Sequence, residues 1–130
     1  MDVLAAVDGS DNSMRALRFA VEFADRFDGE LDVVHVTDRE TEATEEVLRR
    51  VDEVLASAGG EADFELDVVE GLELPTAREA GKELLSLVSD RGYDHVVVGH
   101  HGAGHIERAI LGSASETVVR GTSVPVTVVP

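Results

Sequence analysis

Gly99, His100, His101, Gly102, Gly104, His105, Gly112 and Ser113 fall within one stretch, VVVGHHGAGHIERAILGS, residues 96–113. Glycines such as Gly99 and Gly102 let a backbone approach an anion closely, because no Cβ intervenes. A helix beginning near Ser113 would add free N–H groups and the positive end of its dipole, with the Ser113 hydroxyl as one more donor. The same stretch carries three histidines, a residue type that binds metals and moves protons near neutral pH. Its chemistry is therefore that of a phosphate cradle, a metal site, or a glycine-rich loop with neither. Asp8, in the turn sequence AVDGS, is the carboxylate that the strand order argued below brings to the same place.

The metal reading is the weaker one. The chain has no cysteine, and the spacing of His100, His101 and His105 matches no zinc pattern, even with His35 or His95 recruited. Flexible loops also make poor ligand shells. No metal held by protein groups alone is expected; magnesium would be held mainly by phosphate oxygens of a ligand. The common nucleotide motifs are absent too. A Walker A loop needs a lysine after its last glycine, the turn after the first apolar run is DGSDNS and not a G-x-G-x-x-G, and a receiver domain would want an aspartate and a lysine where Glu70 and Pro130 stand.

The elements that must position these residues alternate in type. DVLAAV (2–7) is a short apolar run closed by the turn DGS. A helix follows, with Ser10 or Asp11 as N-cap, Met14, Leu17, Val21 and Ala24 on one face, and Gly29 as its stop. LDVVHV (31–36) reads as a buried strand. A polar helix spans about 41–58, with Val47, Val51, Val54 and Leu55 inward and its acidic side a solvated face. FELDVVE, ending at Glu70, is a third, partly exposed strand. Pro75 suits the first turn of a helix that places Ala77, Leu84, Leu85 and Val88 inward and closes at Arg91-Gly92. HVVVG (95–99) is a strand buried on both faces, Ser113 to about Arg120 a last helix, and VPVTVV (124–129) a fifth strand that Pro125 confines to an edge. Such alternation implies one domain over residues 1–130: an open, mainly parallel α/β sheet covered by helices. Ligands of such sheets bind beyond the C-terminal strand ends where the order reverses. With strands ordered 3-2-1-4-5, Asp8 and Gly99 meet at that crevice.

The spacing Gly99-x2-Gly102-x9-Gly112-Ser113 resembles the G-x2-G-x9-G-[S/T] signature of the universal stress protein family. AVDGS, HV at the end of the second strand, VVVGHHG, LGSASETVVR and the terminal VPVTVVP extend the resemblance along the whole chain. It implies a five-stranded parallel sheet of order 3-2-1-4-5 with helices on both faces, of the adenine nucleotide alpha hydrolase-like (Rossmann-like) kind, and a homodimer through the fifth strand. It also implies an ATP site. Asp8 would accept from the ribose or adenine, and Val36 would offer its backbone to the base. Ala6 and Val7 would line the pocket with Val98 opposite. Gly99, His100, His101 and Gly102 would form the ribose and phosphate turn, and Gly112, Ser113, Ala114 and Ser115 would receive the phosphate tail. One departure bears on this. Many members carry a basic residue after the second glycine, where this chain has Ala103-Gly104-His105. That weakens the triphosphate expectation more than the adenosine one and leaves ADP and AMP open, unless Arg108 folds back.

Charge narrows the function further. There are 27 acidic against 11 basic residues, a net charge of −16, and Lys82 is the only lysine. No basic stripe exists for nucleic acid, so none is expected as a partner. A carboxylate-rich, lysine-poor surface reads as adaptation to molar salt, where the Debye length falls to ~3 Å and self-repulsion is screened. No apolar run is long enough to span a bilayer, and MDVLAAVDGS is too short and too acidic for a signal sequence, so a cytoplasmic protein without membrane contact is expected. The apolar VPVTVV edge would be an aggregation hazard unless covered, independently favouring the homodimer. The functional expectation is a regulatory or stress-response protein that binds an adenine nucleotide. The alternatives are a slow ATPase or phosphoryl-transfer enzyme and a nucleotide-free interaction module. Hydrolysis needs a group to orient water and a cation for the phosphates. No such constellation is legible, so the expectation leans against an enzyme.

Overall fold

A computed structural model describes residues 1–36, 42–58, 64–69, 77–100 and 113–130. Among these, strands and helices alternate as β1 (Asp2–Ala6), α1 (Asp11–Arg26), β2 (Glu30–Val36), α2 (Glu42–Ala58), β3 (Phe64–Val69), α3 (Ala77–Arg91), β4 (His95–Gly99), α4 (Ser113–Gly121) and β5 (Val126–Val129). All strand pairings are parallel and the sheet runs β3-β2-β1-β4-β5. β1 is therefore flanked by β2 on one side and β4 on the other, with Ala5 paired to both Val33 and Val97.

The apolar side chains divide between the two faces as strand alternation requires. Val3, Ala5, Val7, Leu31, Val33 and Val97 pack under α1 and α2, against Leu17, Val21, Val47, Val51 and Val54. Leu4, Val34, Val96 and Val98 pack on the other face with Leu84, Val88 and Val118 of α3 and α4. The central strands are covered twice, which is why β1 and β4 show no polar alternation. Gly81 lets α3 and α4 cross closely: a Cβ there would lie 2.7 Å from Thr117 Cβ and 3.0 Å from the Ala114 carbonyl oxygen.

Of the two N-cap candidates Ser10 caps α1, accepting from Ser13 N. Other boundaries differ from the sequence reading. α1 ends at Arg26. The residue that turns the chain there is Asp28, at φ 53°, and not Gly29. Aspartate tolerates the left-handed region. Gly29 is demanded instead by crowding, since a Cβ would collide with the Met1 carbonyl oxygen. Pro125 lies just before β5, its carbonyl accepting from Val96 N at 3.0 Å, so the edge strand is shorter than VPVTVV. Glu70 and Pro75 lie outside the described residues. No described helix is long and apolar enough to cross a membrane.

Candidate functional site

β1 and β4 are neighbours, and the helices that follow them, α1 and α4, belong to opposite faces of the sheet. Their C-terminal ends therefore diverge into a crevice, the place where open α/β sheets take ligands. Asp8 stands at its mouth, exposed. Its Oδ1 accepts from Ser10 N at 2.9 Å and from Ser10 Oγ at 2.5 Å. Its own N–H donates to Ser13 Oγ at 3.3 Å, and Ser13 Oγ donates to the Ser10 carbonyl at 2.9 Å. The turn is thus wound tightly on the first turn of α1. Gly9, at φ 87°, makes the turn in a conformation that favours glycine, and a Cβ there would lie 2.8 Å from Val47 of α2. Arg50 of α2 locks the same turn from outside, donating to the Gly9 carbonyl and pairing with Asp11 at 2.8 Å.

The strand side of the crevice is equally specified. Ala6 and Val98 share the face covered by α3 and α4. Val7 does not join them: its side chain sits in the α1/α2 cluster, 5% exposed, because successive strand residues face opposite ways. Its backbone is occupied too, its N–H donating to the Val34 carbonyl at 2.9 Å and its carbonyl lying 2.8 Å from His35 Nδ1. The Val7 side chain thus takes the opposite face of the sheet from that of Ala6. Val36 ends β2 beside Val69 of β3.

Gly99 ends β4 with a reason beyond ligand approach. A Cβ there would lie 3.1 Å from Asn12 Oδ1 and 3.1 Å from Ser13 N, so the glycine admits the start of α1. His100 N donates to the Val129 carbonyl at 2.7 Å, continuing the β4–β5 ladder, so this N–H faces β5 and not an anion. Ser115, buried, donates its hydroxyl to the Gly99 carbonyl at 2.6 Å, fastening α4 to the strand end. That differs from the expectation of a phosphate donor: the one hydroxyl proton already points inward. α4 begins at Ser113, with Ala114 half-buried beside α3. His101, Gly102, His105, Arg108 and Gly112 lie outside the described residues. Among the described residues, no group of three or more His, Asp or Glu is arranged to hold a metal ion.

Two contributors escaped the sequence reading. Arg50 had a signal: it falls between Val47 and Val54 on the inward stripe of α2, where a cation is out of pattern. Asn12 had none, since a polar residue in a first helical turn is unexceptional. Yet it is 2% exposed, and its Nδ2 has no hydrogen-bond partner among the described residues.

A doubly wound sheet with a capped aspartate turn on one central strand and a glycine-ended strand beside it defines a class of α/β proteins with a ligand crevice at the strand ends. The chain belongs to the universal stress protein family, whose sequence pattern it matches over residues 1–130. It is 29% identical to the universal stress protein YxiE of Bacillus subtilis, over 98% of this chain and 97% of that one. It is 28% identical to a universal stress protein of Methanocaldococcus jannaschii, over 98% of this chain and 80% of the relative. Among solved structures, a universal stress protein in complex with cAMP superimposes with a TM-score of 0.76 at 24% identity, covering 100% of this chain and 97% of the other. The universal stress protein from Archaeoglobus fulgidus in complex with dAMP gives 0.72 at 23% identity, covering 100% and 98%. These two likenesses establish the fold.

Proposed function

We propose that this protein binds an adenine nucleotide in the crevice between β1 and β4 and serves a regulatory role in the stress response. The observation that carries the reading is Asp8: an exposed carboxylate at the point where the strand order reverses, with one oxygen held by Ser10. Support comes from the family match and from two similarly folded universal stress proteins in complex with cAMP and dAMP. A carboxylate so held is an acceptor for a sugar hydroxyl or the adenine amine, and Ala6 and Val98 offer apolar contact on one face. Val36 takes the base with its backbone. Gly99, His100, His101 and Gly102 form the turn around ribose and phosphate, and Gly112, Ser113 and Ala114 present the N-terminus of α4 to the phosphates. Ser115 supports that turn from beneath. ATP is the family's ligand by resemblance, with magnesium held mainly by its phosphates. The missing basic residue after Gly102 makes ADP or AMP an equal match for the groups present.

Calorimetric titration of ATP, ADP and AMP with magnesium in molar salt tests this, with Asp8→Ala and Gly102→Val as controls. Micromolar binding weakened by Asp8→Ala and lost in Gly102→Val supports the site; no binding of any adenine nucleotide overturns it. Because the net charge of −16 repels an anion at long range, affinity is expected to hold or rise as salt increases.

The proposed homodimer uses β5, which pairs with β4 on one side only. The carbonyls of Pro125 and Val129 serve β4, so the alternate residues, Val126 and Val128, aim their backbone groups outward. Val128→Pro removes an outward N–H and leaves the β4 ladder intact. It should convert a dimer to a monomer in sedimentation; a monomeric wild-type protein would end the proposal.

A further inference from the structure

Ser10 Oγ lies 2.5 Å from Asp8 Oδ1 and 2.5 Å from Asn12 Oδ1, and it also accepts from Ser13 N at 3.3 Å. A serine hydroxyl has one proton and two lone pairs. It cannot donate to both oxygens, and two oxygens this close with no proton between them repel. Meanwhile Asn12 Nδ2, on a side chain 2% exposed, has no partner among the described residues. A buried orphan donor is rare and costly. The oxygen–oxygen clash disappears when the Asn12 amide, whose two ends have nearly the same shape, presents Nδ2 to Ser10. The group left without a partner is then a carbonyl oxygen, which is tolerated better than an orphan N–H. The hydroxyl then accepts from Asn12 Nδ2 and from Ser13 N and donates to Asp8, so all three of its hydrogen-bonding positions are used.

We propose that Asn12 is a positioning residue for Asp8: its side-chain amide donates to Ser10 Oγ, directs the single hydroxyl proton to Asp8 Oδ1, and leaves Asp8 Oδ2 to accept from the ligand. With the opposite polarity, the proton would go to the asparagine carbonyl and Asp8 Oδ1 would face an oxygen lone pair. The carboxylate would lose its side-chain donor and the orientation that donor imposes. Gly99 belongs to the same device, because a Cβ there would crowd the Asn12 amide at 3.1 Å beneath the end of β4. Both strands of the crevice therefore meet at one buried amide. The ligand half of this inference rests on the proposed nucleotide site; the hydrogen-bond polarity does not.

The test has two arms. The first uses the ligand-free protein and the nitrogen-15 side-chain amide spectrum, with Asn12 assigned by its loss in Asn12→Ala. The expected result is an Asn12 amide proton close to the Ser10 β-protons in nuclear Overhauser spectra, protected from exchange, and shifted in Ser10→Ala. An Asn12 amide with both protons remote from Ser10 and indifferent to Ser10→Ala overturns the proposal. The second arm titrates AMP into the wild-type protein, Asn12→Ala, Asp8→Ala and the double variant, each checked for an unchanged far-ultraviolet spectrum. Asn12→Ala should weaken AMP about tenfold by itself and add nothing in the Asp8→Ala background, because it acts through that carboxylate. An additive loss in the double variant, or no loss in Asn12→Ala while Asp8→Ala loses affinity, overturns it. If Asn12→Ala does not fold, Ser10→Ala interrupts the same relay and carries the same expectation. Failure of AMP, ADP and ATP alike to bind the wild-type protein overturns the proposed function and the ligand half of this inference; the first arm still decides the amide's orientation.

Discussion

The two ends of the sheet are built from similar residue types and differ in how they use them. At the N-terminal end, polar groups close on one another. Asp94 accepts from Asp2 N at 2.8 Å and returns its own N–H to the Asp2 carbonyl at 2.8 Å, Glu30 N donates to Met1 O, and the Tyr93 hydroxyl donates to Asp32. Tyr93 is buried, and chiefly that burial, then the Asp32 bond, pushes its pKa up to about 12. At the C-terminal end the groups are anchored from behind and open in front. Asp8 is held by Ser10, Gly99 by Ser115, and the Gly9 turn by Arg50, yet Asp8 stays exposed. One end stabilises the fold; the other stores unmet hydrogen-bonding capacity where a ligand could use it.

The largest effect expected of any single change is one that damages both properties. Gly99→Val crowds the Asn12 side chain and the Ser13 backbone, which a Cβ alone already meets at 3.1 Å, and adds two methyl groups beyond it. It should lower stability by about 3 kcal/mol, the upper part of the overpacking range, and abolish nucleotide binding. Denaturant unfolding and titration would show both. Next in size, Tyr93→Phe should lower stability by about 1.5 kcal/mol, a bond to a charged acceptor, and leave nucleotide affinity untouched. Its pH signature is distinct. A phenol raised from the ordinary ~10 to about 12 contributes stability below pH ~10 that is lost as pH rises through 12, and Tyr93→Phe should remove that alkaline fall.

Asp8→Ala should do the reverse of Tyr93→Phe. It should cost about tenfold in nucleotide affinity and less than about 1 kcal/mol in stability, since Asp8 is exposed. Equal losses of stability and affinity in both variants would erase the division between the two ends. The smallest effect concerns His95, at the start of β4, whose ring packs 4.6 Å from Phe23 and whose Nε2 lies 2.8 Å from Thr127 Oγ1. Burial lowers its pKa below the ordinary imidazole value. The unfolded chain therefore binds more protons in the window below pH ~6.5. The stability that a neutral His95 contributes is full above that window and lost as pH falls through the folded pKa. A melting temperature that drops from pH 7.5 to 5.5, less so in His95→Gln, is the expected record.

Much of this was legible beforehand because it is written in periodicity and end signals. The apolar runs DVLAA and HVVVG, unbroken by polar alternation, require strands covered on both faces, and β1 and β4 are so covered. Ser10 before an amphipathic run required an N-cap, and Ser10 is one. Inward positions of α2 and α3 followed from helical spacing, with Val47, Val51, Val54, Leu84 and Val88 buried. The face taken by Val7 was not legible, because an apolar residue at a strand end looks the same whichever face it takes. Gly29 was misjudged because crowding by Met1, distant in sequence, and not backbone conformation, demands it.

The sequence alone determined the α/β alternation, the family, and the residue types gathered at Asp8 and Gly99, because propensity, periodicity and motif spacing are local properties of the chain. Tertiary structure decided what those residues do. Ser115 turns its proton inward to Gly99, His100 gives its N–H to β5, Arg50 reaches from α2 to the Gly9 turn, and Asn12 lies buried between two strand ends against Ser10. Each of these depends on which groups compete for one proton or one lone pair across tens of residues of chain, and that competition exists only after the strands are ordered side by side.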